Sequence, residues 1–389
     1  MKPGVKSRFL FCAEESAFRL RMPYRFRAFI SCITAVSLCG MSLGLRGVQD
    51  TQAAAAVRQT EMFRYSGFSR EAFPALIGPW LRMGKYNPFL SVASPAFPIP
   101  ALAEGYVPQG MCYSQALGCF ALAYYYPGGK RPSLLALVDA GSGAFVKSVY
   151  LLKPGGLPYT GHAGGAAAWG EHVWVTSESR AWRLAAQDLR DAKNGGTVRF
   201  RDFFRPASRG GIAFTAEGML WIGDSYFDGK SQSLSEDHLD QESGNHAWCV
   251  GYPLSKNSPT GVTGHAAAVL SIPDSAQGAC LAATGEFMIS VSYTTKAPSW
   301  LWIYPTLRGM LEQPPKREIT IEKRQVPLWV VDTGMATGKQ MLAPMSEGVC
   351  EYNGKIYTWY ESAALLYREQ AEMYADHVFA LDENDLLTK

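Results

Sequence analysis

Five copies of one short pattern constrain what this 389-residue chain can fold into. In each copy, a glycine is followed by an apolar residue and then by cysteine or alanine. A short turn and a second apolar, aromatic-rich run come next, which predicts a β-hairpin. The five copies begin at Gln109-Gly110-Met111-Cys112, Gly164-Gly165-Ala166-Ala167, Gly210-Gly211-Ile212-Ala213, Gln277-Gly278-Ala279-Cys280 and Glu347-Gly348-Val349-Cys350.

Each hairpin is followed, after a variable loop, by a predicted third strand. These third strands are expected at 133–139, 181–186, 247–252, 300–305 and 377–382, and outer fourth strands at 145–151, 197–204 and 266–272. Only Glu361 to Ala375 looks helical. Units of roughly 45–70 residues that cannot each bury both faces predict an all-β, five-bladed β-propeller. An extra hairpin near 318–333 leaves six blades as the alternative.

The N-terminal residues 1–56 are predicted to be a signal peptide, with Met22 as a more usual start than Met1. Arginines precede an uncharged run at 28–45, and the alanines at 53–56 offer a cleavage site. An uncleaved anchor is the alternative, because 18 uncharged residues can just span a bilayer. Serine, threonine and glycine dilute the run, so we expect cleavage, no remaining membrane span, and a periplasmic or secreted protein.

The rest of the chain is expected to form one unit. Residues 57–106 are Pro-rich towards their end and are predicted to wrap the outside, where they could donate the outermost strand of the last blade. Residues 107–389 form the predicted propeller.

Eight of the 37 basic and three of the 34 acidic residues lie in 1–56, which leaves 29 basic and 31 acidic residues. This balance gives no basic surface for nucleic acid, and we expect a monomer.

Blade geometry predicts a ligand site at one mouth of the ring. The first strand of a blade lines the axis and the second runs antiparallel to it, so the start of one and the end of the other share a face. Convergent polar groups there are typical of a ligand site. We expect it to bind a small polar molecule or a protein partner. The candidate ligand-binding residues are Gln109, Tyr125, Gln277, Ser292, Glu347, Glu361 and Arg368.

The same mouth allows two alternative functions. Carboxylates that face one axis repel each other, which raises their pKa values or requires a cation, and oxygen ligands suit Ca²⁺ or Mg²⁺. A divalent-metal-assisted hydrolase or lactonase is therefore one alternative, with His162 as general base. The other is a structural scaffold, in which these polar residues only form hydrogen bonds with the exposed amides and carbonyls at strand ends. The candidate metal ligands are Glu178, Asp224, Glu347 and Glu361.

Recognisable catalytic motifs are missing from the sequence. Residues 57–389 contain no G-x-S-x-G, H-E-x-x-H or C-x-x-C motif, no P-loop and no dinucleotide fingerprint. The one G-x-S-x-G match, at 40–44, lies inside the predicted signal peptide. Cys112, Cys280 and Cys350 align with alanines in the other two copies, which favours small buried residues at the axis over reactive thiols. A disulfide between Cys112 and Cys119 across the first hairpin is a further expectation that an oxidising compartment permits.

Several longer strings resemble a family of secreted bacterial β-propeller proteins. They are YVPQGMCY, YYYPGGKRPSLLALVDAGSG, GHAGGAAAWGEHVWV, AQGACLAATGEFMISVSY, VPLWVVD and PMSEGVCEYNGKIYTWYESAALLYR. The resemblance spans about residues 106–382, and it implies the fold and an extracytoplasmic location but no particular reaction. More distantly, the repeat is similar to calcium-dependent lactonase and NHL-type propellers, whose metal-ligand pattern has no recognisable copy in this chain.

Overall fold

The computed structural model describes residues 84–227 and 238–387. The predicted signal peptide and most of the predicted wrapping segment lie outside these residues. Within them the strands form five sheets. The inner strands of the five sheets contact one another in sequence order, and the last contacts the first, which closes a ring. The five-bladed propeller is therefore confirmed, and the six-bladed alternative is wrong.

The first three blades differ in their number of strands, which follow one another from the axis outwards. The first blade contains β2 (Val107–Ser114), β3 (Cys119–Tyr125), β4 (Leu134–Asp139), β5 (Phe145–Leu152) and β9 (Gly196–Arg199). The second contains β6 (Gly165–Trp169), β7 (His172–Ser177), β8 (Arg180–Ala185) and β10 (Asp202–Phe204). The third contains β11 (Ile212–Ala216), β12 (Met219–Gly223), β13 (Ala247–Pro253), β14 (Ala268–Ile272), β19 (Arg324–Val330) and β18 (Arg317–Ile321).

The last two blades have four strands each. The fourth contains β15 (Ala276–Leu281), β16 (Glu286–Val291), β17 (Ser299–Thr306) and β20 (Gly338–Leu342). The fifth contains β21 (Ser346–Tyr352), β22 (Lys355–Tyr360), β23 (His377–Asp382) and β1 (Ala93–Pro98). The described part of the chain also contains four short helices: α1 (Asn87–Leu90), α2 (Ala186–Asp191), α3 (Leu307–Leu311) and α4 (Glu383–Leu387).

The core is divided into five apolar clusters, one between each pair of neighbouring blades. Each middle strand is therefore buried on both faces, which is why its sequence is almost continuously apolar rather than alternating. Three second strands place a fully buried tryptophan between blades, at Trp174, Trp221 and Trp359. No helix among the described residues is long and apolar enough to cross a membrane.

The N-terminal strand β1 completes the fifth blade as its outermost strand, where it pairs antiparallel with β23. This confirms the predicted donation of a strand to the last blade. Ahead of β1, Phe89 packs edge-on against Phe379 at a ring separation of 5.1 Å. Within β1, Phe97 packs against Phe120 of the first blade at 5.5 Å. Residues from both ends of the chain thus form one blade.

Three sequence predictions differ from the structure. The outer strand expected at 197–204 is two strands, because β9 pairs in parallel with β5 of the first blade while β10 pairs with β8 of the second. The hairpin near 318–333 belongs to the third blade, where β19 pairs in parallel with β14. The segment from Glu361 to Ala375 forms one 3₁₀ turn at Glu361–Ala363 followed by turns and irregular backbone, not a helix.

Four of the five pattern glycines lie where neighbouring inner strands almost touch: Gly110, Gly165, Gly278 and Gly348. A Cβ added at Gly348 would lie 2.5 Å from the backbone nitrogen of Met111, and one at Gly110 would lie 2.4 Å from that of Ala166. Real Cβ atoms do not approach backbone this closely, so any side chain there would force two blades apart. The repeated glycine is therefore a requirement of packing at the axis.

We expect Gly348→Ala to destabilise the fold by about 3 kcal/mol or more, because an overpacked backbone contact cannot relax without moving a blade. Urea unfolding at neutral pH measures this. Gly141→Ala is the matched control, since its added Cβ would meet nothing closer than 3.7 Å. We expect it to change stability by less than about 0.5 kcal/mol. Equal unfolding midpoints for the two variants would contradict this account of the axis.

Candidate functional site

A cavity of about 450 Å³ occupies the central mouth at which the inner strands begin. Its walls come from the starts of first strands, the ends of second strands and the loops beside them. This is the face on which the sequence predicts a ligand site. The lining residues are Gln109, His162, Gly164, Ser177, Glu178, Ser179, Arg209, Gly210, Gly211, Ser225, Phe227, Gln277, Glu347, Glu361 and Tyr367.

The cavity ends blindly at the ring of glycines. The void at that level, beside Gly110, Gly165 and Gly348, measures only about 10 Å³. A water molecule needs at least about 10–15 Å³ of such space, so the axis narrows to the limit of what water can enter. A second cavity of about 360 Å³ lies beyond the glycines, among the later residues of the inner strands. The central mouth is therefore a pocket rather than a channel.

Three of the buried polar side chains in the lining lie next to one another, at what we call the deep end of the pocket: Gln109, Glu347 and Glu361. Gln109 and Glu347 each precede a pattern glycine on an inner strand, while Glu361 begins the 3₁₀ turn that follows β22. The Gln109 side-chain nitrogen donates hydrogen bonds to Glu361 Oε1 at 2.5 Å and to the Pro108 carbonyl at 2.7 Å. The amide thus ties the first blade to the fifth.

Glu347 differs from its two neighbours because its carboxyl makes no hydrogen bond with another described residue. It is only 3% exposed and lines the cavity. Burial raises the pKa of Glu347 well above its usual range, and repulsion from Glu361 raises it further. Burial also raises the pKa of Glu361 to about 8, although the hydrogen bond from Gln109 opposes this. At neutral pH the two carboxyls therefore hold protons that ordinary surface glutamates have lost.

One wall of the pocket is aromatic. The Tyr125 ring stacks on His162 with the ring centres 4.4 Å apart, and its hydroxyl lies 3.3 Å from that of Tyr367. His162 is exposed to the cavity, but the protein surrounds that cavity closely enough to desolvate the imidazole. Desolvation lowers the pKa of His162 to about 4, so the imidazole is neutral at pH 7 and brings no positive charge to the site.

The predicted site residues divide into two groups. Gln109, His162, Glu178, Gln277, Glu347 and Glu361 line the pocket. Tyr125 lies behind this lining, where it stacks on His162 and its hydroxyl meets that of Tyr367. Ser292 and Arg368 are not brought to the pocket lining. Arg368 donates two hydrogen bonds to the Ala363 carbonyl, at 3.2 and 3.0 Å, and lies over the Tyr374 ring.

The structure does not assemble the predicted metal ligands. Asp224 is fully buried beside the pocket, where it accepts a hydrogen bond from the Arg209 backbone at 2.6 Å and lies 3.2 Å from His238 Nδ1. Glu178 is an exposed turn residue at the rim. No group of three His, Cys, Asp or Glu side chains in the described parts of the chain is placed to hold a metal ion. A four-carboxylate metal site stays a prediction without geometric support.

Arg209, Phe227 and Tyr367 also line the pocket, and the sequence gives only weak signals for them. Arg209 directly precedes the third copy of the pattern, one position before the place that Gln109 and Glu347 hold in their copies. Tyr367 follows Glu361 by six residues, in the loop towards β23. Phe227 lies in the long loop that leaves β12, where no periodicity marks it. What these three residues share is a position on the mouth side of a blade. That position is known only once the ring is assembled.

The five described cysteines are buried and unpaired with one another. Cys119 lies opposite Ser114 and Cys112 lies opposite Ala121, so the expected Cys112–Cys119 disulfide is wrong. Cys112, Cys280 and Cys350 line the second cavity beyond the glycine ring. Burial raises the pKa of Cys112 to about 12, which keeps its thiol protonated and unreactive.

Comparisons with known proteins add only distant likenesses. No protein-family model matches this chain, and no curated protein matches it in sequence. A glutaminyl cyclase from Myxococcus xanthus is 11% identical, with a TM-score of 0.39 over 75% of this chain and 95% of that one. A PQQ-bound aldose sugar dehydrogenase from Streptomyces coelicolor is 13% identical, with a TM-score of 0.40 over 75% of this chain and 96% of that one. At these values the likeness carries no information about activity.

Proposed function

We propose that this propeller binds a small polar ligand in the pocket at its central mouth. The observation that carries the proposal is Glu347, a buried carboxyl that lines the cavity without a hydrogen-bond partner among the described residues. Its carboxyl oxygens face the cavity rather than the packed interior, so a molecule inside the cavity can reach them. A ligand that supplies the missing partner accounts for a glutamate at this position.

The dimensions of the pocket support an organic ligand. About 450 Å³ lies within the 300–1,000 Å³ typical of small-molecule sites. A ligand at the deep end would contact Gln109, Glu347 and Glu361, and His162 and Tyr367 would offer it aromatic surface. Because Gln109 is already fixed by two hydrogen bonds, the deep end is organised before a ligand enters.

The proposal predicts that some small polar molecules raise the melting temperature and that Glu347→Gln weakens their binding at least ten-fold. A thermal-shift screen of neutral, anionic and cationic metabolites, followed by titration calorimetry of the hits, measures this. Glu318→Gln, an exposed residue on β18 at the outer edge of the third blade, is the control and should bind normally. A screen without hits, or hits that are indifferent to Glu347→Gln, would overturn the proposal.

The metal-assisted hydrolase or lactonase is the weaker candidate, because the described residues offer no three-ligand group. We expect the purified protein to contain less than about 0.1 equivalent of Ca²⁺ or Mg²⁺, and EDTA to leave its melting temperature unchanged, since strong sites take six or more oxygen ligands. Elemental analysis and calorimetry test this. One equivalent of either ion, retained through dialysis, would restore the metal hypothesis and would make Glu178, Glu347 and Glu361 its first candidate ligands.

We also propose, from the N-terminal sequence alone, that the protein acts outside the cytoplasm. The basic residues, the uncharged run and the alanines of residues 1–56 support this. The mass of the protein recovered from its host tests the proposal. A cleaved N-terminus near residue 56 in an extracytoplasmic fraction is the expected result.

A further inference from the structure

The carboxyl pair at the deep end of the pocket has no positive partner among the described residues. Burial and the neighbouring Glu361 act on Glu347, and burial and Gln109 act on Glu361. No lysine or arginine forms a described ion pair with either carboxyl. The imidazole in the pocket lining, His162, is neutral at pH 7 because it is desolvated. No described ion pair therefore compensates a negative charge on either carboxyl, and at neutral pH the pair stays protonated until a positive partner binds.

A cation gains more from this environment than a neutral molecule does. An ionised carboxyl and a cation 4 Å apart attract by about 4 kcal/mol at an effective dielectric constant of 20. Ionising Glu361 at pH 7, from a pKa of about 8, costs about 1.4 kcal/mol, and the remainder still exceeds the roughly 1 kcal/mol of a net neutral hydrogen bond. An anion gains no such attraction, because it favours the protonated, uncharged form of both carboxyls. Charge therefore selects a cationic group for the position between Glu347 and Glu361.

The pocket is too large for a bare ion and is partly aromatic. A volume of about 450 Å³ lies in the range of sites for organic ligands and far exceeds the space that one ion needs. Tyr367, Phe227 and His162 add ring surface to the lining, and aromatic faces attract organic cations by about 0.5–2 kcal/mol. Ammonium N–H groups can also donate to carboxylate oxygens, as the unpartnered Glu347 requires.

We infer that the ligand of the central pocket is an organic amine bound as its ammonium ion, with the nitrogen between the side chains of Glu347 and Glu361. This inference rests on the proposed function, because it assigns a chemical class to the ligand of that same site. The remainder of the ligand occupies the space towards the rim, where the exposed Glu178 and Arg209 lie.

Binding of an ammonium ion must release a proton from the pair. In the empty pocket the carboxyls are protonated at neutral pH, and the bound cation favours their ionised forms. Affinity should therefore rise about ten-fold for each pH unit between 6 and 7, with one proton released per ligand. The other titratable or charged groups around the pair are Tyr125, His162, Glu178, Arg209 and Tyr367.

Three probes of equal length test the inference on the full-length protein: n-butylammonium, n-butanol and butyrate, each at the same ionic strength. Titration calorimetry in two buffers of different ionisation enthalpy measures affinity and proton release together. We expect n-butylammonium to bind at least ten-fold more tightly than either other probe at pH 7. We expect Glu347→Gln/Glu361→Gln to reduce that affinity at least ten-fold, and Glu318→Gln to leave it unchanged.

The outcomes separate this inference from the proposed function. Butanol or butyrate binding as tightly as butylammonium, with loss in the double variant, overturns the cationic ligand and leaves a polar-ligand site. No binding of butylammonium up to 100 mM also overturns the cationic ligand, while the wider metabolite screen decides the proposed function. Butylammonium binding that survives in a double variant with a normal melting transition places the cation elsewhere and overturns the inference.

Discussion

A chain that begins at residue 99 is expected to lose cooperative unfolding, whereas a chain that begins at residue 84 keeps it. The shorter chain lacks β1, so β23 becomes an open edge and the fifth blade loses its outer strand. It also lacks Phe89 and Phe97, which are at most 2% exposed. Loss of a buried phenylalanine costs about 3–5 kcal/mol, and two such losses approach the whole stability of a typical domain, about 5–15 kcal/mol.

Near-UV circular dichroism and thermal melting of the two chains measure this effect. Phe97→Ala in the longer chain is the intermediate case, because it removes the contact with Phe120 but keeps the strand pairing. We expect it to lower stability by about 3–5 kcal/mol without abolishing the transition. A chain from residue 99 that melts as sharply and at the same temperature as the longer chain would show that the ring closes without β1.

The parts of the fold that follow from repetition could be predicted from the sequence. A hairpin such as Val107–Tyr125 is defined by residues close in sequence, and five similar hairpins impose a ring whatever their loops do. The outer strands could not be predicted in this way. The segment 196–204 contributes to two blades, because β9 continues the edge of β5 before the chain crosses to β8. The sequence pattern does not change between the two short strands, so nothing in it marks this division.

The candidate site was predictable to the level of the backbone but not of the side chains. Gln109 and Glu347 reach the pocket from irregularities in strand pairing near the starts of β2 and β21, and Glu361 reaches it from the turn after β22. Asp224 occupies a similar position after its second strand, yet its carboxyl turns to the Arg209 backbone and towards His238. Arg368 likewise bonds the nearby Ala363 carbonyl rather than the pocket. Such choices depend on local donors and acceptors, which the repeat pattern does not encode.

The carboxyl pair also predicts how stability depends on pH. Glu361 has an ordinary pKa of 4.5 in the unfolded chain and one of about 8 in the folded protein, because burial disfavours its charge. The folded state therefore binds more protons, and the associated stability is fully present below pH 4.5 and is lost as pH rises through about 8. Each pKa unit corresponds to about 1.4 kcal/mol, so the loss could reach about 5 kcal/mol.

Glu347→Gln/Glu361→Gln removes both titrating groups while keeping their size and their capacity to hydrogen-bond. We expect the double variant to match the wild-type stability near pH 4.5 and to exceed it by up to about 5 kcal/mol at pH 8. Urea unfolding across this range measures the difference, and Glu318→Gln should run parallel to the wild type. If the stabilities of the double variant and the wild type changed with pH in the same way, the pair would be solvated. That result would contradict the argument for a ligand at Glu347. A stabilised but non-binding variant would instead show that the pair is maintained for binding at the expense of stability.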